Sequence, residues 1–79
     1  MTAKEMFEKL GYTYKYYSEA FGFIGHNYKW KQPCSGAIKE IMFWEISETV
    51  SIKNESDYGF NGKEIQAIAQ QMKELGWIE

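Results

Sequence analysis

Hydrophobic positions near both ends of the chain recur with the period of an amphipathic helix. Near the start they fall at i, i+3, i+4 and i+7, at Ala3, Met6, Phe7 and Leu10. Such spacing places the side chains in one apolar stripe. Near the end the corresponding stripe comprises Ile65, Ile68, Ala69, Met72 and Leu75. The pattern therefore predicts two helices that flank the rest of the chain.

The same start and stop signals bracket both predicted helices. Each stripe is preceded by a capping pair and followed by a glycine and an aromatic residue, namely Thr2 with Glu5 and Gly11-Tyr12, then Asn61 with Glu64 and Gly76-Trp77. At a spacing of three, the two capping side chains bind each other's backbone N–H groups. Glycine ends a helix because it readily adopts the left-handed conformation. A hairpin turn at Asn61-Gly62 is the alternative, and the amphipathic run that follows favours the helix.

The segment between the helices is rich in aromatic and β-branched residues and is broken by short polar clusters. Alternation predicts strands at 12–17, 23–31, 38–44 and 49–53, with turns at 18–22, 32–36 and near Ser47-Glu48, a bulge at Gly25, and a connection over residues 54–60. Short turns join neighbouring strands into an antiparallel meander. The predicted fold class is α+β, with an N-terminal helix, a three- or four-stranded antiparallel meander and a C-terminal helix in one domain of residues 1–79.

The two ends of the chain resemble a group of short proteins from Gram-positive bacteria and their phages and mobile elements. The resemblance rests on the opening TAKEMFEKLGY and the closing EIQAIAQQMKELGWIE, whose motifs are helix caps and core positions. It implies a helix, a small antiparallel sheet and a final helix that ends in a Leu-Gly-Trp-like sequence, together with a phage or prophage origin. It transfers no active site, because these proteins have no known function.

Composition narrows the class of protein. The chain has 79 residues, of which 44% are hydrophobic and 18% aromatic, so it has enough apolar surface to fold. A domain of this size buries only about 60% of its unfolded surface and leaves little room for a deep cleft. The single cysteine, the charged start of the chain and the lack of a long apolar run predict a cytoplasmic protein that does not associate with membranes.

Few residues are candidates for catalysis or metal binding. Cys34 and His26 are the one thiol and the one imidazole, and an extended strand would separate them by roughly 25 Å, too far for a nucleophile and its base. The same two residues leave any metal site to be completed by carboxylates. Glu40 and Glu45 fall on opposite sides of a strand. We therefore expect no catalytic residue, no metal and no cofactor, and a protein that is not an enzyme.

The predicted sheet supplies a candidate binding surface. Its third strand is apolar on both faces, because Ile41 and Phe43 alternate with Met42 and Trp44. Two short helices cover one face of a sheet, so we expect Ile41, Phe43 and Tyr17 to stay exposed unless the neighbouring loops or another chain cover them. The first hypothesis is a non-enzymatic interaction module that binds a protein partner or a second copy of itself.

A second hypothesis concerns the aromatic residues of the first two strands, which either form the core or form a platform for single-stranded nucleic acid. Nine lysines, no arginine and a formal charge of −2 argue against nucleic acid, whose binders are usually basic. Protein contact is therefore ranked first and single-stranded nucleic acid second. The candidate binding residues are Tyr14, Tyr16, Tyr28, Trp30, Ile41 and Phe43, with Lys15, Lys29 and Lys31 beside the platform.

Overall fold

In the computed structural model the chain forms six elements. They are α1 (Ala3–Lys9), β1 (Thr13–Ala20), β2 (Phe23–Lys31), β3 (Ile38–Trp44), β4 (Thr49–Asn54) and α2 (Gly62–Glu74). The structure describes residues 1–20 and 22–79, and side chains for residues 1–18 and 22–79. The predicted turn at 18–22 is wrong in its first half, where β1 continues, and Phe21 lies outside the described residues. The α+β class is confirmed, and the sheet has four strands.

Both helices begin with the predicted capping boxes. The Thr2 hydroxyl accepts a hydrogen bond from the Glu5 N–H at 3.2 Å, and the Glu5 carboxylate accepts one from the Thr2 N–H at 2.9 Å. Asn61 and Glu64 form the equivalent pair at 2.9 and 2.8 Å. Each box satisfies two N–H groups that would otherwise lack a partner at the helix start.

Both helices also end as predicted. Gly11 and Gly76 adopt positive φ angles of 92° and 78°. The N–H of the aromatic residue that follows each glycine donates to a carbonyl oxygen of the last turn, at 3.0 Å for Tyr12 and 2.9 Å for Trp77. The Tyr12 ring packs edge-on against Phe7, with 5.2 Å between centroids. Local signals therefore place the ends of both helices.

The strands form one antiparallel sheet in the order β1-β2-β3-β4. In β1 as far as Tyr17, and throughout β2 and β4, even-numbered residues share a face with the odd-numbered residues of β3. One row across that face contains Tyr14, Tyr28, Ile41 and Ile52, and the next contains Tyr16, His26, Phe43 and Val50. Because each strand neighbours the next in sequence, short connections suffice to build the whole sheet.

A bulge interrupts the pairing of β1 with β2. Tyr17 pairs with Gly25 and Ala20 pairs with Phe23, so β1 has one more residue than β2 over this stretch. The bulge therefore lies in β1, and the prediction that it lies at Gly25 is wrong. Gly25 instead has a φ of 151° and lies so close to β3 that a Cβ there would be 1.8 Å from a carbonyl oxygen.

Both helices pack on the face of the sheet defined above, which we call the helix-covered face. The Phe7 ring of α1 stacks on Tyr28 with 4.0 Å between centroids, and Ile68 of α2 belongs to the same buried cluster. Ile41 and Phe43 are 0% exposed, so the expectation that they remain uncovered is wrong. They lie on the face that the helices cover, where burial of each side chain contributes about 1.5–3 kcal/mol.

The second helix buries most of the predicted stripe but is rotated from it. Ile68 is buried and Met72 and Leu75 are half-buried against the core, whereas Ile65 is 52% exposed. Two polar residues, Glu64 and Gln71, are buried with Ala67 and Ile68. Each accepts a hydrogen bond from a buried tyrosine hydroxyl, Glu64 from Tyr12 and Gln71 from Tyr28. These partners make polar burial tolerable and set the rotation of α2 about its axis.

The two helices lie side by side. The Glu74 carboxylate, at the last turn of α2, accepts a hydrogen bond of 2.8 Å from the Ala3 N–H at the start of α1. This contact joins residues 71 positions apart and satisfies a further free N–H group of α1. Over the described residues, neither helix has the length and hydropathy needed to span a membrane.

Candidate functional site

The face of the sheet opposite the helices is the candidate site, and we call it the open face. It is lined by the odd-numbered residues of β1 as far as Tyr17, of β2 and of β4, and by the even-numbered residues of β3. The buried helix residues that form the core pack with residues of the other face. Among the described residues, no helix therefore covers the open face.

One end of the open face is aromatic. The rings of Tyr17 and Phe23 pack edge-on at 5.4 Å, and those of Phe23 and Trp44 at 4.5 Å. We call these three residues the aromatic end. Phe23 is 8% exposed, while its two neighbours are half-buried. The Trp44 indole N–H donates to the Ser51 hydroxyl at 2.8 Å, which fixes the orientation of the ring.

The other end of the open face is basic. It has four exposed lysines, Lys15, Lys29, Lys31 and Lys53. Glu40 is the single acidic residue among the described side chains of this face, so four positive charges and one negative charge give +3. The described side chains outside this face comprise five lysines and nine acidic residues, which give −4. We call the four lysines the basic end.

The ion pairs at the basic end are weak. Lys29 Nζ lies 3.8 Å from the Glu40 carboxylate, and Lys53 Nζ lies 3.9 Å from that of Glu55. Both lysines are about half exposed, and exposed pairs contribute only about 0–1 kcal/mol. An incoming anion therefore displaces these carboxylates at little cost.

A shallow cleft lies beside two of these lysines. It has a volume of about 350 Å³ and is lined by Gly11, Thr13, Lys29 and Lys31. The Thr13 hydroxyl donates to the Lys29 carbonyl at 3.2 Å, which holds the ends of β1 and β2 together. Two ammonium groups at one concave site are suited to bind an oxyanion.

Asn27 lies in the middle of the open face with one polar atom unsatisfied. Its side-chain N–H₂ donates to Glu40 at 3.0 Å, whereas its buried Oδ1 accepts no hydrogen bond from the described residues. Asn27 is 7% exposed. A buried acceptor without a partner costs about 1–3 kcal/mol, so this position lowers the stability of the fold.

A second polar cluster lies under the helices. Lys39 Nζ is 3.0 Å from Glu64 Oε2 and donates to the Gly59 carbonyl at 2.6 Å. Burial alone would raise the pKa of Glu64, but hydrogen bonds from Tyr12, Asn61 and Lys39 outweigh it and lower that pKa. Burial and the same carboxylate raise the pKa of Tyr12. Because each charged group has its partners, this cluster stabilises the packing of α2 on the sheet.

The one histidine belongs to a third cluster, on the helix-covered face. Tyr14 Oη lies 2.7 Å from His26 Nδ1, and the Glu45 carboxylate lies 3.6 Å from Nε2. Burial lowers the pKa of His26 despite the nearby carboxylates. Cys34 is exposed in the loop between β2 and β3, whereas both ring nitrogens face other partners. No group of three potential metal ligands occurs among the described residues.

The sequence-predicted site residues all lie on the helix-covered face, away from the open face. Tyr28, Ile41 and Phe43 are buried, Tyr14 and Trp30 are half-buried, and Tyr16 is exposed at the sheet edge. Their predicted lysine neighbours point to the opposite side, because adjacent strand residues alternate between faces. The structure therefore does not bring this platform and these lysines together. It places Tyr17 and Trp44 on the same face as the lysines instead, with Lys15 next to Tyr17. Lysines at alternate strand positions were the sequence signal for an outward face.

The fold and the open face define a class: an α+β protein whose four-stranded antiparallel sheet has one face packed against two helices and one uncovered face, basic at one end and aromatic at the other. Comparison of the chain with models of protein families, with curated proteins and with solved structures gives no match. The function is therefore inferred from the chain's own residues.

Proposed function

We propose that this protein is a non-enzymatic binding module that takes an anionic macromolecule on its open face. The distribution of charge carries the proposal, because the described side chains give +3 on the open face and −4 elsewhere. Salt screens charge over about 8 Å at physiological ionic strength. An approaching polyanion therefore responds to the nearby lysines more than to the net charge of −2, and the face orients it on arrival.

The chemistry of the open face favours binding over bond making. Its described side chains offer ammonium groups, one carboxylate, hydroxyls, an amide and aromatic rings. The described chain's thiol and imidazole lie elsewhere, at Cys34 and His26. A nucleophile needs a base within hydrogen-bond reach, and the open face supplies contacts of the kind that hold a partner.

The same charge distribution argues against a second copy of the chain as the partner. A symmetric dimer uses the same patch on both subunits, so pairing two open faces would bring +3 against +3. Like charges at an interface oppose association. The apolar strand residues expected to bind a protein partner, Ile41 and Phe43, are buried beneath the helices, so the proposal uses the opposite face.

A polyanion titration tests the proposal with two matched double variants. Lys29→Gln with Lys31→Gln removes two charges from the open face, and Lys63→Gln with Lys73→Gln removes two exposed charges from α2. With heparin as the probe at about 50 mM salt, the first variant is expected to bind at least about tenfold more weakly and the second to bind as the natural protein does. Equal losses in the two variants would contradict the proposed face, and the absence of any binding at low salt would contradict the function.

A further inference from the structure

We propose that the anionic partner is single-stranded nucleic acid, an inference that rests on the proposed function above. The first argument is that the open face is small. Four strands about 4.8 Å apart and about seven residues long give a projected area of roughly 450 Å². Accessible surface exceeds projected area, so a folded protein would have to cover the whole face to approach the area of about 800 Å² that a stable interface buries on each partner. A narrow extended strand needs only part of the face.

The second argument is the arrangement of charge along the face. Lys29 and Lys53 lie in one row across β2, β3 and β4, and Lys31 lies beside Lys29 at the cleft. Lys15 is in the next row, paired with Asn27. A sugar-phosphate backbone that crosses the sheet at this end passes near all four ammonium groups, with Glu40 between Lys29 and Lys53 in their row. The cleft between Lys29 and Lys31 takes one of its phosphates.

The third argument is the aromatic end. Tyr17 and Trp44 flank Gly25 across the strands, and both rings pack against the Phe23 ring. Single-stranded nucleic acid binders combine a basic path for the backbone with rings on which bases stack. Lys15 Nζ lies 4.9 Å from the centroid of the Tyr17 ring, so the charged and aromatic parts of the face meet at this tyrosine.

The same features limit what is recognised. The chain has no arginine, the side chain that most often reads guanine, so binding is expected to depend little on base sequence. A flat sheet presents no helix or ribbon that enters a duplex groove, so single strands are expected to bind more tightly than duplexes.

Fluorescence anisotropy with a labelled oligothymidylate of about twelve nucleotides tests the inference. Four lysine contacts predict a slope of log affinity against log salt of about −2.8, and therefore about 50-fold weaker binding at 200 mM than at 50 mM salt. Lys29→Gln with Lys31→Gln is expected to halve that slope, while Lys63→Gln with Lys73→Gln leaves it unchanged. A slope unaffected by the first variant would overturn the inference.

The contribution of stacking is measured separately. Tyr17→Leu is expected to weaken binding about 5- to 150-fold, the range for loss of one stacked base. Trp44→Phe is expected to retain most of the affinity and to remove the quenching of tryptophan fluorescence by the oligonucleotide. Circular dichroism checks that each variant is folded. Folded Tyr17→Leu with unchanged affinity would contradict the role of the aromatic end, as would quenching that persists in Trp44→Phe.

Two competitor arms separate this inference from the proposed function. A duplex of the same length is expected to compete poorly, and polyglutamate is expected to compete only at low salt. If polyglutamate or heparin binds and the oligonucleotide does not, the anion-binding face is upheld and nucleic acid is overturned as its partner. A preference for duplex over single strand would also overturn it. Failure of all these probes to bind at low salt would overturn both proposals.

Discussion

Loss of the buried ion pair between Lys39 and Glu64 should destabilise the fold far more than loss of an exposed pair. The two side chains are 5% and 6% exposed, and Nζ lies 3.0 Å from Oε2. Lys39→Met removes the positive charge but keeps a side chain of similar length. The Glu64 carboxylate then stays buried with hydrogen bonds from Tyr12 and Asn61 but without its counter-ion.

The size of this effect follows from that burial. Removing one partner of a buried pair costs about 3–5 kcal/mol, whereas a chain of 79 residues at about 0.05–0.15 kcal/mol per residue has a total stability of about 4–12 kcal/mol. Glu64→Gln in the Lys39→Met background removes the second charge and keeps an oxygen for Tyr12. The double variant should therefore be about 0.5–3 kcal/mol more stable than the sum of the single losses predicts.

Urea unfolding at pH 7, followed by tryptophan fluorescence and far-ultraviolet circular dichroism, measures the free energy of unfolding of four proteins. They are the natural protein, Lys39→Met, Glu64→Gln and the double variant. Lys53→Met serves as the matched control, because Lys53 forms an exposed pair at 3.9 Å and should lose no more than about 1 kcal/mol. If Lys39→Met lost less than about 1 kcal/mol, or if its effect added simply to that of Glu64→Gln, the buried pair would not stabilise the fold as argued.

Three further predictions concern the backbone, the histidine and α2. Gly25→Ala should lower the free energy of unfolding by at least about 2 kcal/mol, because its Cβ would lie 1.8 Å from a β3 carbonyl oxygen. Gly62→Ala lies in open space at the start of α2 and should raise that free energy by about 0.4–1 kcal/mol. Because burial lowers the pKa of His26, the unfolded chain binds a proton at this imidazole more readily than the folded chain does. Stability should therefore fall as pH drops below about 6.5, and it should fall less in His26→Gln. Ile68→Ala should cost about 2–5 kcal/mol and Ile65→Ala, at an exposed position, within about 0.5 kcal/mol.

Chemical unfolding at several pH values checks all three. A Gly25→Ala variant as stable as the natural protein would show that β2 relaxes away from β3 without loss. Equal pH dependence in the natural protein and His26→Gln would place the acid-sensitive group elsewhere. Equal losses from the two isoleucine variants would mean that α2 faces the sheet as its hydrophobic spacing first suggested.

Local signals in the sequence predict the ends of the elements well. Capping pairs such as Thr2 with Glu5, and the glycines at Gly11 and Gly76, depend on the backbone conformation of a few neighbouring residues, so reading them needs no knowledge of distant contacts. The bounds of β3, 38–44, are likewise as predicted. The bulge and the start of the turn after β1 were misplaced, because both positions depend on how β1 and β2 pair.

The buried face of each helix and strand depends on contacts between residues far apart in the sequence. The local pattern of hydrophobic and polar residues does not show these contacts. The rotation of α2 is set by tyrosine hydroxyls that lie 52 and 43 residues away from Glu64 and Gln71, so hydrophobic spacing alone favoured Ile65. The apolar residues on both sides of β3 gave no preference for either face. The lysines at alternate positions did mark the outward face. The placement of Tyr17 and Trp44 on either side of Gly25 could be predicted only from the register of three strands.

The hydrogen bond from the Ala3 N–H to Glu74 has a consequence for folding during synthesis. Each strand pairs with its neighbour in sequence, so hairpins form as the chain leaves the ribosome, whereas a helix of seven residues does not persist alone. At about 5–20 residues per second, the 71 positions between Ala3 and Glu74 take about 4–14 s to synthesise. Over that interval the first helix lacks its contact with α2, and Phe7 can pack only against sheet residues such as Tyr28. The nascent meander, with its apolar face uncovered, is then the species most open to aggregation or to a chaperone.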